Sequence, residues 1–267
     1  MAHIKVGVSL YPQHCSVEEL RGAWTEAEQI GADSCWIWDH FFPLTGDPRG
    51  RHFECWSLLA CMAADTNRVS LGPLVSCVSY RNPDLLADIA RTVDHISKGR
   101  LALGLGAGWF KKDYDEYGYE FGTAAERIDF LESACQRIRS RLEKLNPTPL
   151  GRVPILIGGS GEKKTLRIVA RYADAWNTFG PVDNFKRKVE VLERWCDREG
   201  RDLAEIEKTV LIQGFGSQES WDRELKSMDS YVEAGVDHFI LGIGHPFDLG
   251  PLRDFVDAAR GFNSSGK

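Results

Sequence analysis

The chain has 267 residues, 43% of them hydrophobic, with 33 basic against 39 acidic residues for a net charge of -6. That is the size of one complete α/β barrel around a single large core, and an acidic balance with no basic stripe argues against nucleic acid or an anionic membrane as the main partner. The opening MAHIKVGVSL lacks the charged start and long apolar stretch of a secretory signal, and charges or glycines interrupt every later apolar run, so a cytoplasmic location is expected.

Short apolar runs alternate eight times with longer segments of helical spacing. The first strand is predicted over 4–10 and the first helix over 17–30, where Ser16 and Glu19 stand at capping-box spacing and Gly31 offers a positive-φ stop. Tyr11, Gln13 and His14 follow that strand. The second strand, 34–38, runs straight into Asp39 and His40 ahead of a helix over 54–64. The third, 69–75, leads through Ser76, Ser79, Tyr80 and Arg81 to a helix over 83–96, stopped at Gly99. After the fourth strand, 101–107, come Gly108 and Trp109, with a helix at 124–145. The fifth, 154–158, opens into the run GGSGEKK and a helix over 163–172; the sixth, 173–178, carries Trp176, Asn177 and Thr178 and precedes a helix over 182–199 that Gly200 ends. Units at 208–214 with 219–234, closed by Gly235, and at 238–242 with 249–259 complete the count, and residues 260–267 are expected to be a disordered tail.

Strict strand-helix alternation implies parallel strands joined by right-handed crossovers, and eight such units can close into a (β/α)8 TIM barrel; a doubly wound open sheet is the alternative. No linker or composition shift divides the chain, so one domain spanning 1–267 is expected. Chemistry in a barrel sits where strands end. A carboxylate beside an imidazole straight after a buried strand makes Asp39 and His40 the candidate catalytic pair, more often a functional than a merely capping arrangement. Gly158, Gly159, Ser160, Gly161 and Lys163 stand where a strand gives way to a helix, a place that aims backbone donors at an anion, although such glycines also exist simply to make the turn. The run LGLGAGW is not a dinucleotide fingerprint, since its spacing is G-x-G-x-G and no helix of small residues follows. Glycines there fit a flat ring lying against backbone.

Tryptophans in apolar segments are usually core. Trp109 and Trp56 are kept as pocket candidates, and Tyr11, His14, Trp56 and Trp176 as a substrate pocket. Seven scattered cysteines without C-x-x-C spacing read as reduced thiols, no metal site is expected, and no G-x-S-x-G elbow supports a hydrolase.

Taken together, WIWDHFF, the block from Arg68 to Gly118 with R-N-P and GRLALGLGAGWFKKDYDEYG, PILIGGSGEKKTLRIVARYADAWN and YVEAGVDHFIL resemble the luciferase-like monooxygenase superfamily over nearly the whole chain. The resemblance implies a bacterial luciferase-like barrel that uses FMN with oxygen, or coenzyme F420 as a hydride carrier. The Asp39-His40 pair and the G-W-F-x-x-[DE] continuation at Gly108 resemble the F420 branch more. It implies Asp39 and His40 near the deazaflavin ring, with His40 the proton donor or electrostatic stabiliser. It implies a bulge with a non-proline cis peptide at Leu74-Val75 behind the ring, with Ser76 next to it. Ala107, Gly108 and Trp109 would line the ring and side chain, and residues 159–164 the phosphate. General barrel rules place phosphate after strands seven and eight, so this placement comes from the resemblance alone. A departure is the brief stretch at 214–219, where many relatives carry an insertion; it implies a more open substrate pocket, or one completed by a second subunit.

The reading is thus an F420-dependent oxidoreductase acting on a small organic substrate, as a homodimer or higher homo-oligomer. The alternatives are an FMN-dependent monooxygenase and, from another class, a barrel that binds a flavin or phosphorylated ligand without turning it over.

Overall fold

The computed structural model describes residues 3–214 and 217–265. Its elements run in the order β1 (Lys5–Leu10), α1 (Val17–Ile30), β2 (Ser34–Ile37), α2 (Cys55–Asp65), β3 (Ser70–Pro73), β4 (Ser76–Cys77), α3 (Pro83–Ser97), β5 (Leu103–Gly106), α4 (Lys111–Tyr117), α5 (Ala124–Leu142), β6 (Ile155–Gly158), α6 (Thr165–Tyr172), β7 (Ala175–Phe179), α7 (Val182–Glu199), β8 (Glu207–Gln213), α8 (Gln218–Lys226), α9 (Met228–Glu233), β9 (His238–Ile243) and α10 (Gly250–Ser265). The strands are all parallel and ordered β3-β2-β1-β9-β8-β7-β6-β5-β4. A parallel bridge between Leu71 and Leu101 joins the two ends.

The expected TIM barrel is therefore present, with one refinement. The strand predicted over 69–75 ends as β3 at Pro73, and β4 takes up Ser76–Cys77 beyond the Leu74-Val75 peptide, which is cis, so nine strands occupy eight barrel positions. Three other differences have local causes. The unforeseen α4 covers the acidic-aromatic segment after β5, and the helix predicted over 219–234 divides at Ser227, where one helix ends and the next begins. The supposed tail is helical to Ser265, because α10 docks on β1 through Asn263, which accepts from Ile4 N–H at 2.8 Å and donates to Ile4 O at 3.1 Å. Residues 266–267 of that tail, and 215–216 of the brief stretch after β8, lie outside the described residues.

Period-two alternation sorts each strand's side chains. In β1, Val6, Val8 and Leu10 join the core shared with the helices, while inside the barrel Trp36, Leu74, Leu156 and Ile240 form a separate middle layer. The local signals act as read: Ser16 and Glu19 form a reciprocal capping box at the start of α1, and Gly31 ends it at φ 110°. No helix among the described residues is long and apolar enough to cross a membrane.

Below the middle layer, at the strand starts, a polar chain crosses the lumen. Trp36 Nε1 donates to Ser34 Oγ at 2.7 Å, Ser34 Oγ meets His238 Nε2 at 2.9 Å, His238 Nδ1 meets Glu207 Oε1 at 2.7 Å, and Lys5 Nζ donates to Glu207 Oε2 at 2.9 Å. Ser, His and Glu in a row could look catalytic, but they lie at the face of the barrel opposite the carboxyl ends of the strands, where polar contacts serve stability. Ser34 and His238 are buried, and the chain ties β1, β2, β8 and β9 together. Burial works against the Glu207 charge, yet His238 and Lys5 outweigh it and hold the carboxyl down at about 2 from 4.5. A carboxyl whose folded value is depressed contributes stability that is present above its unfolded value and lost as pH falls through the folded one. Relative to Glu207→Gln, the unmodified protein should be more stable above pH 4.5 and lose that margin on approaching pH 2. Urea unfolding midpoints across that window measure it; two parallel acid limbs would contradict it.

Candidate active site

All strand ends converge on one mouth, where a cavity of about 660 Å3 opens, within the size range of cofactor and small-molecule sites. Its floor is shaped by glycine. A Cβ at Gly106 would lie 2.5 Å from Val75 Cγ2, one at Gly158 would lie 3.0 Å from Val75 Cγ1, and one at Gly104 would lie 2.0 Å from the Pro73 carbonyl oxygen. The G-x-G spacing thus first makes room for the bulge at Leu74-Val75, which rises between β5 and β6. Gly108 is needed at φ 80°, and a Cβ there would lie 2.1 Å from the Tyr114 hydroxyl.

Asp39 and His40 both border the cavity, but their side chains have different partners. The Asp39 carboxylate is enclosed: Arg81 donates to its two oxygens at 2.6 and 3.1 Å, Ser76 Oγ donates at 2.5 Å, and Trp56 Nε1 donates to the same Ser76 Oγ at 3.1 Å. Burial pushes the Asp39 carboxyl up while Arg81 pulls it down. Asp39, expected as a catalytic group beside His40, is thus held by Arg81 and Ser76 at the strand end.

His40 instead takes its partner from the helix that follows β5. Its Nδ1 lies 2.6 Å from Asp113 Oδ2, on α4; the same carboxylate accepts from Tyr80 OH at 2.7 Å and from Phe41 N–H at 3.1 Å. A carboxylate is an acceptor, so the imidazole donates through Nδ1, and Nε2 is the ring nitrogen left over. That nitrogen has no protein partner among the described residues. Trp109 and Phe110 meet the ring edge-on at 5.8 and 5.6 Å between centroids, and Trp38 does so at 6.2 Å. Nearby, burial drives His52 down to about 4, in keeping with its Nε2 accepting from Trp38 Nε1 at 3.0 Å.

Opposite β1 and β2, the ends of β5 and β6 build an anion-receptive corner. Lys164 precedes α6 without a side-chain cap on the helix start; of the first-turn N–H groups, that of Leu166 donates to the Gly161 carbonyl at 3.0 Å. Thr165, at the first helical position, is only 7% exposed, borders the cavity and has no hydrogen-bond partner for its hydroxyl among the described residues. Arg127 of α5 also lines the cavity. It donates to the carbonyls of Gly108, Phe121 and Gly122 and lies 3.9 Å over the Phe121 ring, with no carboxylate in ion-pair range among the described residues.

The structure brings Tyr11, Asp39, His40, Leu74, Val75, Ala107, Gly108, Trp109, Gly158 and Gly159 to this cavity. It places other expected residues elsewhere. Ser76 is buried beneath Asp39. Ser160 and Gly161 are off the cavity wall, and Lys163 faces a shallow depression with Arg194, Trp195 and Arg198 of α7. Trp56 is spent on Ser76 and Trp176 on the Gly159 carbonyl at 2.8 Å, both buried. His14 bonds the Thr45 carbonyl at 2.7 Å and holds the loop after β2. Of the residues expected to form a substrate pocket, Tyr11 borders the cavity and His14, Trp56 and Trp176 do not. Asp113, Arg127 and Thr165 were missed. Asp113 had a signal, because it is the acidic position of G-W-F-x-x-[DE]; the other two lie inside helices, where periodicity reads only as packing.

Comparison with known proteins follows the fold closely. The family model described as luciferase-like monooxygenase matches residues 1–217. The chain is 28% identical over 180 residues to an uncharacterized protein of Mycobacterium tuberculosis, covering 60% of this chain and 64% of that protein, and so spans less than two thirds of that relative's length. It is 31% identical over 139 residues to the F420-dependent glucose-6-phosphate dehydrogenase of Amycolatopsis mediterranei, covering 51% of this chain and 41% of that one. Among solved structures, an F420-dependent secondary alcohol dehydrogenase in complex with an F420-acetone adduct superimposes with TM-score 0.86 at 19% identity, over 96% of this chain and 99% of that one. The oxygenating constituent of 3,6-diketocamphane monooxygenase from Pseudomonas putida, in complex with FMN, gives 0.73 at 15% identity, over 96% and 97%.

Proposed function

Because the chain belongs to the luciferase-like monooxygenase family, we propose that it is an F420-dependent oxidoreductase that moves a hydride between the deazaflavin and a small organic alcohol or carbonyl compound. The observation that carries this reading is the Asp113-held His40, whose Nε2 has no protein partner among the described residues and which borders the cavity, placed to exchange a proton with a substrate hydroxyl or carbonyl oxygen. The cavity also fits a flat ring with an anionic tail: the Val75 bulge and the backbone at Ala107 and Gly108 offer a floor, and Thr165, the uncapped start of α6 and Arg127 offer donors to a phosphate.

When bound, F420 supplies the two-electron hydride chemistry. The chain's own groups do the rest. In the oxidising direction His40 Nε2 takes the hydroxyl proton as hydride leaves the carbinol carbon, and in the reducing direction the imidazolium returns that proton to the carbonyl oxygen. Asp113 fixes the tautomer and stabilises the imidazolium, while Tyr80 and Phe41 N–H hold Asp113. Trp38, Trp109 and Phe110 fix the ring's orientation and keep water from its flanks.

Titrating the purified protein with F420 and separately with FMN, followed by fluorescence quenching and thermal shift, tests the reading. Saturable F420 binding with little for FMN is expected. The reverse preference would move the protein to the oxygen-using branch, and binding of neither would remove the functional reading while leaving the barrel.

A further inference from the structure

The cavity's charges are distributed unevenly, and their positions follow barrel order. Arg127, the only lysine or arginine among the described residues that line it, sits on α5 beside Gly108, on the flank formed by β5 and β6. The opposite flank, over β1, β2, β7 and β8, carries Tyr11, Trp38, Thr45, Phe179 and Gln213 around His40, with no lysine or arginine among the described residues that line it. Its polar groups are neutral or already matched. Gln213 Nε2 donates to the Tyr11 hydroxyl at 3.1 Å, and burial pushes that hydroxyl up, away from ionisation. Tyr11 stacks on Trp38 at 4.2 Å between centroids. Asp39 is matched by Arg81 behind the wall. Phe179 at the end of β7 is 54% exposed and stands at the rim of this flank, and Trp109, 63% exposed, faces it from the end of β5.

Desolvating a carboxylate or phosphate against such a wall, with no lysine or arginine to meet it, is costly, whereas an apolar body gains from covering the exposed rings. We propose that the flank over β1, β2, β7 and β8 takes an uncharged, largely apolar substrate whose single hydroxyl or carbonyl oxygen meets His40 Nε2, and that Arg127 serves only the anionic end of the cofactor. This deepens the hydride-transfer reading and rests on it for the occupant of the β5 and β6 flank.

A matched pair of probes tests the substrate class by binding, without turnover. The protein is saturated with whichever of F420 or FMN it takes up, or used without cofactor if it takes neither, and titrated calorimetrically with cyclohexanone, 4-oxocyclohexane-carboxylate and glucose 6-phosphate. Cyclohexanone should bind at least roughly tenfold more tightly than either anion, the size of effect that an unmatched charge produces. Phe179→Ala should weaken the ketone without moving cofactor affinity. Phe179→Lys, at an exposed position where folding is not at stake, should raise affinity for the carboxylate. Equal or tighter binding of an anion by the unmodified protein, or no ketone binding at millimolar concentration, overturns the assignment. Cofactor affinity is read separately from the deazaflavin or flavin fluorescence, so losing the F420 reading leaves these titrations decisive.

Discussion

His40→Ala should lower kcat by roughly 10²- to 10⁴-fold, the span typical of a positioned acid-base group, while the Kd for F420 stays close to that of the unmodified protein. The separation follows from geometry. The side chain presents one free nitrogen to the cavity, and its other contacts are to Asp113 and to the faces and edges of Trp38, Trp109 and Phe110, none of which belongs to the anion-receptive corner formed by Thr165 and Arg127. Asp113→Asn should reproduce most of the kcat loss. An amide can donate to His40 Nδ1, which favours the tautomer with its proton on Nε2, and it can no longer accept as a charged group from Tyr80 and Phe41 N–H. A purely structural Asp113 would instead lower Tm and leave kcat per folded molecule unchanged. Pre-steady-state turnover with thermal melts on both variants separates the two outcomes, and equal losses of kcat and cofactor affinity in His40→Ala would remove His40 from the chemistry.

The second large effect concerns the floor. Gly106→Ala should destabilise the protein by about 1–3 kcal/mol, the cost of overpacking a filled interior, because its Cβ would meet Val75 Cγ2 at 2.5 Å. That contact is to a side-chain methyl, and the next nearest atom is Val75 Cβ at 3.7 Å, an ordinary contact. Val75→Ala removes the methyl, so in that background the same Gly106→Ala change should cost less than about 1 kcal/mol, a coupling that a double-mutant cycle resolves. Gly104→Ala should behave otherwise. Its Cβ would meet the Pro73 carbonyl oxygen at 2.0 Å, and because that atom is backbone, Val75→Ala should bring no rescue. Urea unfolding of the single and double variants gives all the terms; additive costs at Gly106 and Val75 would show that the glycine run does not exist to seat the bulge.

Much of the architecture was legible because its determinants are local. Alternating apolar residues, the Ser16 and Glu19 capping box, and glycines such as Gly31 and Gly200 each act within a few residues of themselves, so eight strand-helix units and the rim of the cavity could be read in order along the chain. Resemblance to a known family added the bulge at Leu74-Val75, and the cis peptide is found there. What the sequence could not decide was which of two neighbouring polar side chains at a strand end is free. Asp39 and His40 are adjacent, yet Asp39 is spent on Arg81 and Ser76 while His40 meets a carboxylate 73 residues away. The same holds for Trp56 and Trp176, whose indole nitrogens find partners only once strands from different parts of the chain stand side by side, and for Lys163, which points toward α7. Patterning records whether a residue wants burial; closure of the barrel, which fixes the pairing of polar groups far apart in sequence, decides which of them remains available for chemistry.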